Sequence, residues 1–373
     1  MVDEVTVIYP AELEELVGEN TGSVAAPVRS RTVKLTPAST ITPRPVRWVW
    51  RNRVAVGTLA LLAGREGIGK SMLAYTVAAW LTRGVLPGIY HEQPRAVIVA
   101  ATEDSWEHTI VPRLMAAGAD LDLVYRVDVS TASGFEAVLT LPVDLHALEQ
   151  VVVESQAALI LLDPLISRLS AELDTYKDAE VRQALEPLVA LANRSECCVL
   201  GIIHLNKSAR GDAGNRIMGS KAFNAVPRSV LFVTTHPRDE DIKLLGQTKN
   251  NLGRLDLPTH AYRIVGELVT TTNEGEVWTG KIEWLDNSEM TIAQVLEASS
   301  EDPEERSATR EAEDWLRDYL VSVGGRASSA EAKRQGKRAG HSERTLRRAS
   351  KAIGVVVESS GFPRQTFWSL PPD

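Results

Sequence analysis

The stretch GREGIGKS, Gly64 to Ser71, has the spacing G-x-x-x-x-G-K-[ST]. Glycines so placed let backbone N–H groups close around phosphate oxygens, and a helix starting at the lysine adds its partly positive end. Lys70 is spaced to reach β- and γ-phosphates, and Ser71 to offer its hydroxyl to Mg2+. The run Gly64, Arg65, Glu66, Gly67, Ile68, Gly69, Lys70, Ser71 and Met72 is therefore the expected wall of a nucleoside triphosphate site. Three further apolar runs end on polar groups. ALILLDP closes on Asp163, a carboxylate suited to holding Mg2+ through water, and Pro164 behind it offers no base. RAVIVAATED closes on Glu103 with Asp104 beside it. CVLGIIH closes on His204 and opens into a loop that carries Lys207, Arg210, Arg216 and Lys221 among small residues.

These groups need a scaffold that brings strand ends together. TLALLAG, RAVIVAA, ALILLD, CVLGIIH and SVLFVTT are short apolar runs, and helical stretches such as KSMLAYTVAAWLTRG and DAEVRQALEPLVALANR separate most of them. That alternation predicts an α/β fold of βαβ units around a mainly parallel sheet. After about residue 243 the pattern turns to strands alone, which predicts an antiparallel extension on one side. Residues 1–45, acidic and then rich in Thr, Ser and Pro, read as an arm that is flexible or links subunits. Residues 46–286 form the expected core, and 287–308, charged and broken by Pro303, a linker. Residues 309–373 predict three helices and a hairpin, the order of a winged helix-turn-helix. Between residues 331 and 351 of this tail, Lys333, Arg334, Lys337, Arg338, Arg344, Arg347, Arg348 and Lys351 cluster against only Glu331 and Glu343. A helix from Ser342 would offer Arg344, Arg347 and Arg348 to DNA phosphates or guanines.

The whole chain of 373 residues is acidic, with a net charge of −8, so it does not coat nucleic acid or anionic membrane indiscriminately; a basic patch must be local. No apolar run reaches the ~20 residues that span a bilayer, and the start of the sequence lacks a signal peptide's pattern. The adjacent Cys197 and Cys198 make neither a disulfide framework nor a metal site, which suits a cytoplasmic setting.

GREGIGKS, ATED, LLDP, HLNK and GSKAFNAVPRS, in this order, resemble the RepA-like branch of RecA-fold ATPases, hexameric replicative helicases of plasmids and phages related to DnaB- and KaiC-type proteins. The resemblance spans roughly residues 48–285. It implies a homo-oligomeric ring, ATP and Mg2+ as cofactors, and catalytic sites between subunits. It implies Glu103 as the carboxylate that polarises the attacking water, with Asp104 able to share the role. His204 becomes a γ-phosphate sensor, and the loop behind it, with Lys207, Arg210, Arg216 and Lys221, a contact for single-stranded DNA. Arg228 matches the family's arginine finger, and Lys249 and Arg254 stand where related rings present a second basic finger. The C-terminal winged helix is a departure from the smallest members of that branch, and an N-terminal primase-contacting domain is missing from the pattern. A helicase or translocase and a non-unwinding, ATP-switched DNA-binding regulator or recombination mediator both fit these motifs. A small-molecule kinase fits less well, because the β-rich segment after residue 243 is unlike a kinase's helical lid.

Overall fold

A computed structural model describes residues 35–131, 134–205, 219–299, 303–360 and 365–371. Two compact units are distinguished, Met1–Val46 and Arg47–Asp373. In the first, residues 35–46 are extended apart from a 3-10 turn at Ala38–Thr40.

The second unit begins with the small hairpin β1 (Trp48–Trp50) and β2 (Val54–Ala55). Strands and helices then alternate: β3 (Leu59–Gly64), α1 (Lys70–Thr82), β4 (Val97–Ala101), α2 (Val111–Ala116) and β5 (Val124–Arg126). A short hairpin of β6 (Val129–Ser130) and β7 (Glu136–Ala137) precedes α3 (Leu145–Ser155), β8 (Leu159–Asp163), α4 (Asp178–Arg194) and β9 (Cys198–His204). After α5 (Ala222–Ala225) comes β10 (Ser229–Thr235), and then strands only: β11 (Lys243–Asn250), β12 (His260–Thr272) and β13 (Gly275–Trp284). They join one nine-stranded sheet in the order β13-β12-β11-β10-β3-β9-β8-β4-β5. The six strands from β10 to β5 in that order pair in parallel. From β10 outward to β13 every pairing is antiparallel. Both the parallel core and the one-sided antiparallel extension thus stand as the alternation predicts.

The apolar runs lack a polar face because helices cover the sheet on both sides. On β3, Leu59, Leu61 and Ala63 join the cluster beneath α3 and α4, while Ala60 and Leu62 join that beneath α1 and α2. The same alternation divides Ile160 and Leu162 from Leu159 and Leu161 on β8. Helix α1 is enclosed nearly all round, since β12 and β13 curl over it from the extended side: a Cβ on Gly280 would meet Met72 Cε at 2.4 Å. Glycine at 280 is what allows so close an approach.

The described residues within 287–308 are more structured than their polarity suggests. Helix α6 (Ile292–Ser299) buries Ile292, Val295 and Leu296 in the core cluster, and α7 (Pro303–Ser322) follows. The C-terminal segment continues with β14 (Arg326–Ser328), α8 (Ser329–Arg338), α9 (Glu343–Ala352), β15 (Val356–Ser360) and β16 (Gln365–Ser369). Its three strands order as β14-β16-β15. It has an apolar cluster of its own, in which Leu316, Leu320, Leu346, Ala349 and Trp368 are buried. Ser328 and Ser342 cap α8 and α9 by accepting from the amides of Glu331 and Thr345.

Candidate active site

The phosphate-binding loop links the end of β3 to α1. Gly67 (φ 72°) and Gly69 (φ 88°) take left-handed backbone that β-carbon-bearing residues resist. At Gly69 the space is also closed, since a Cβ there would meet Ile264 Cδ1 of β12 at 2.7 Å. Arg65, Glu66 and Gly67 are exposed along the loop, and Ile68 turns inward. Lys70 is only 4 % exposed. Its ammonium donates to the Arg65 carbonyl at 2.7 Å and lies 3.2 Å from His204 Nδ1. Burial pushes its pKa down to about 8, against the pull of Asp163, Glu66 and Glu103.

That lysine–histidine contact follows from register. His204, at the end of β9, is paired with Gly64 at the end of β3, so the side chain meets the loop from the neighbouring strand. Burial, and then the charge on Lys70, lower its pKa. His204 is therefore neutral near pH 7 and accepts from the ammonium.

Asp163 ends β8, one strand further along, and is 8 % exposed. Burial raises its pKa, while hydrogen bonds from Ser71 and Tyr75 act in the opposite direction. The Tyr75 hydroxyl donates to Asp163 Oδ2 at 3.1 Å. Tyr75 is four positions after Ser71, so both lie on one face of α1. That spacing was the available signal for Tyr75, which motif reasoning passes over. A buried, electrostatically strained carboxylate touching the Ser71 hydroxyl in the first turn of α1 suits Mg2+, which keeps several waters and needs few protein ligands. No cluster of three or more His, Cys, Asp or Glu able to hold a metal occurs among the described residues.

Glu103 follows β4, which pairs with β8 so that Ala101 lies opposite Asp163. The Glu103 carboxylate is exposed and close enough to act electrostatically on Lys70, His204, Asp163 and Arg168. Asp104 is committed elsewhere, accepting from Arg113 at 2.7 Å. Of the two adjacent acids, Glu103 is the one free to meet a water.

The basic candidates divide into three groups. Arg228, exposed, precedes β10, and its amide bonds the Leu59 carbonyl at the start of β3. It thus sits at the opposite end of the sheet from the P-loop. Lys249, on β11 opposite Val230, donates to the carbonyls of Asn224 and Ala225, and burial and Arg228 lower its pKa. Arg254 is exposed and pairs with Asp256 at 2.6 Å. In the second group, Lys221 is exposed at the start of α5, while Lys207, Arg210 and Arg216 lie outside the described residues. The third is on α9, where Arg344 and Arg347 are exposed and Arg348 is half-buried, with Leu346 and Ala349 turned into the core.

A mainly parallel α/β sheet with a P-loop at the end of one strand, an aspartate suited to Mg2+ two strands away and a histidine between them has the layout of a P-loop nucleoside triphosphate site. Residues 26–210 match a family model described as AAA domain. No curated protein matches the chain. One similar solved structure is the crystal structure of the RadB recombinase, with 16% identity, a TM-score of 0.40, and coverage of 57% of this chain and 89% of that one.

Proposed function

We propose that the protein is a ring-forming, DNA-dependent ATPase, a helicase or translocase of RepA type that hydrolyses ATP at subunit interfaces to move on single-stranded DNA. One observation carries this reading: the exposed Arg228 stands at the far end of the sheet from its own P-loop. An arginine finger there serves a neighbour's nucleotide, which requires an assembly. The P-loop amides and Lys70 hold the phosphates of ATP. Ser71 and Asp163 would hold Mg2+, which supplies charge neutralisation at the β- and γ-oxygens. Glu103 accepts a hydrogen bond from the attacking water and aligns it with the γ-phosphate. His204, already on Lys70, exchanges that contact for γ-phosphate and reports its departure to the chain beyond residue 205. The C-terminal segment, read as a winged helix, places Arg344, Arg347 and Arg348 against duplex DNA.

The test is ATP hydrolysis with and without single-stranded DNA, beside Lys70→Ala and Glu103→Gln. Stimulation that both variants abolish is the expected result. Slow turnover indifferent to single strands would refute strand-coupled motion and leave ATP as a switch for assembly or DNA binding.

A further inference from the structure

A second cavity, of about 920 Å³, opens over the ends of β4 and β5, walled on its outer side by β7 and the chain that follows it. Carboxyl ends of parallel strands are where open α/β sheets hold ligands. Arg168 lines this cavity and is 3 % exposed. Among the described residues it has a single side-chain hydrogen bond, from Nη2 to Thr102 Oγ1 at 2.7 Å, and its Nε finds no partner. No carboxylate pairs with it among the described residues. Burial lowers its pKa, and the more distant Glu103 only partly offsets this. An uncompensated guanidinium in the interior is costly and is retained where something else requires it.

The carboxylates that share the wall do not neutralise it. Asp128 is held by Arg126 and Asp104 by Arg113, each at 2.7 Å, and Glu107 accepts from Ser105. Glu136 stands exposed at the rim. Among the described residues, Arg168 is thus the one buried charge of the cavity without a counterion.

We propose that this cavity is a second anion site, separate from the P-loop, in which Arg168 binds a phosphate-type oxyanion. The forked donors of a guanidinium match a phosphate-type oxyanion, and Thr102, the hydrogen-bond partner of Arg168, immediately precedes Glu103. An oxyanion drawn onto the guanidinium competes with Thr102 for it and moves the segment that carries the general base. The regulatory consequence rests on the ATPase reading; the binding itself does not. The anion is either the phosphate released by hydrolysis or a phosphomonoester from solution.

The experiment is calorimetric titration of inorganic phosphate into protein whose P-loop is saturated with a non-hydrolysable ATP analogue and Mg2+. Saturable binding is expected, weakened about ten- to a hundredfold in Arg168→Gln, the worth of a hydrogen bond to a charged group. Ala137→Trp, at an exposed wall position, should block the cavity with the same loss while sparing Arg168. Both variants should bind the ATP analogue as the parent does. A parent that fails to bind the analogue refutes the ATP site, and the phosphate titration can still be read on its own. Phosphate binding that is not saturable, or is unchanged in Arg168→Gln, overturns the proposal. Loss of the counterion problem should also leave unliganded Arg168→Gln melting no lower than the parent; a large drop with phosphate binding intact would make Arg168 a structural cation and overturn it too. During turnover, inhibition by phosphate alone identifies the released product, whereas equal inhibition by glycerol 3-phosphate identifies a solution ligand; either, if lost in Arg168→Gln, supports the site.

Discussion

The placement of Arg228 leads to a quantitative mixing experiment. Its amide bonds Leu59, and the P-loop begins five residues along the same strand, at Gly64. At about 3.3 Å per residue, ~17 Å of strand separates them, farther than an arginine side chain extends. Arg228 therefore cannot reach the P-loop of its own chain, and in the proposed ring it would serve a neighbour's γ-phosphate. A finger supplied by a neighbour is worth ~10³–10⁵ in turnover, or at least about 4 kcal/mol. Arg228→Ala should thus lose activity as completely as Lys70→Ala, and it should fold, because the side chain is exposed. When the two inactive proteins are dissociated, mixed in equal amounts and reassembled, half the P-loops are intact and half of those face an intact finger. About one quarter of parental hydrolysis should return. The assay is steady-state phosphate release against mixing ratio, with a maximum at equal proportions. A mixture that stays dead although both variants co-assemble with the parent refutes the reasoning. So does an Arg228→Ala protein that retains more than about a tenth of the parental rate.

The free-state pKa of Lys70, about 8, makes ATP binding a proton-uptake reaction. Phosphates favour the charged ammonium, so near pH 8 about half a proton should be taken up per nucleotide, falling towards none near pH 6.5, where Lys70 is already charged. Calorimetry in buffers of different ionisation enthalpy measures this, and proton release at pH 8 would contradict it. Tyr75→Phe removes a buried donor to Asp163; it should cost about 1–2 kcal/mol in urea unfolding and alter the Mg2+ concentration needed for half-maximal turnover, whereas unchanged values in both would make the contact incidental. Arg344→Ala with Arg347→Ala should lower duplex affinity and flatten its dependence on log salt by about two units, with no change in thermal stability, as read by fluorescence anisotropy across a salt series.

The candidate site was legible where its chemistry is local in sequence. GREGIGKS carries its own turn, donors and helix start, and Asp163, Glu103 and His204 each terminate an apolar run. The strand order is what joins them: β9 inserts between β3 and β8, so His204 falls on Lys70. Alternation predicted a parallel sheet but carries no information on such crossovers. Partners nine or more positions apart, such as Arg113 with Asp104 or Arg168 with Thr102, were equally invisible, because only tertiary packing buries them. Residues 287–308 show another kind of loss. Ile292, Val295 and Leu296 have helical spacing, but the charged residues behind them dominate the composition and make the stretch read as a linker.

The site's electrostatics give its unliganded state a direction. Burial disfavours the charge on Lys70, on His204 and on Asp163 alike, although two are bases and one an acid. Mutual attraction within the protein does not resolve this, since Lys70 still falls to about 8 with Asp163, Glu66 and Glu103 all pulling it upward. A nucleotide with Mg2+ brings both missing counter-charges at once: phosphate oxygens for Lys70, a cation for Asp163. Either alone relieves one strain and leaves the other. Nucleotide and metal should therefore bind with positive coupling, each tightening the other by more than in water, and Asp163→Asn should abolish the excess. If ATP affinity responds to Mg2+ no more in the parent than in Asp163→Asn, the raised pKa of Asp163 reflects burial alone and plays no part in holding the metal.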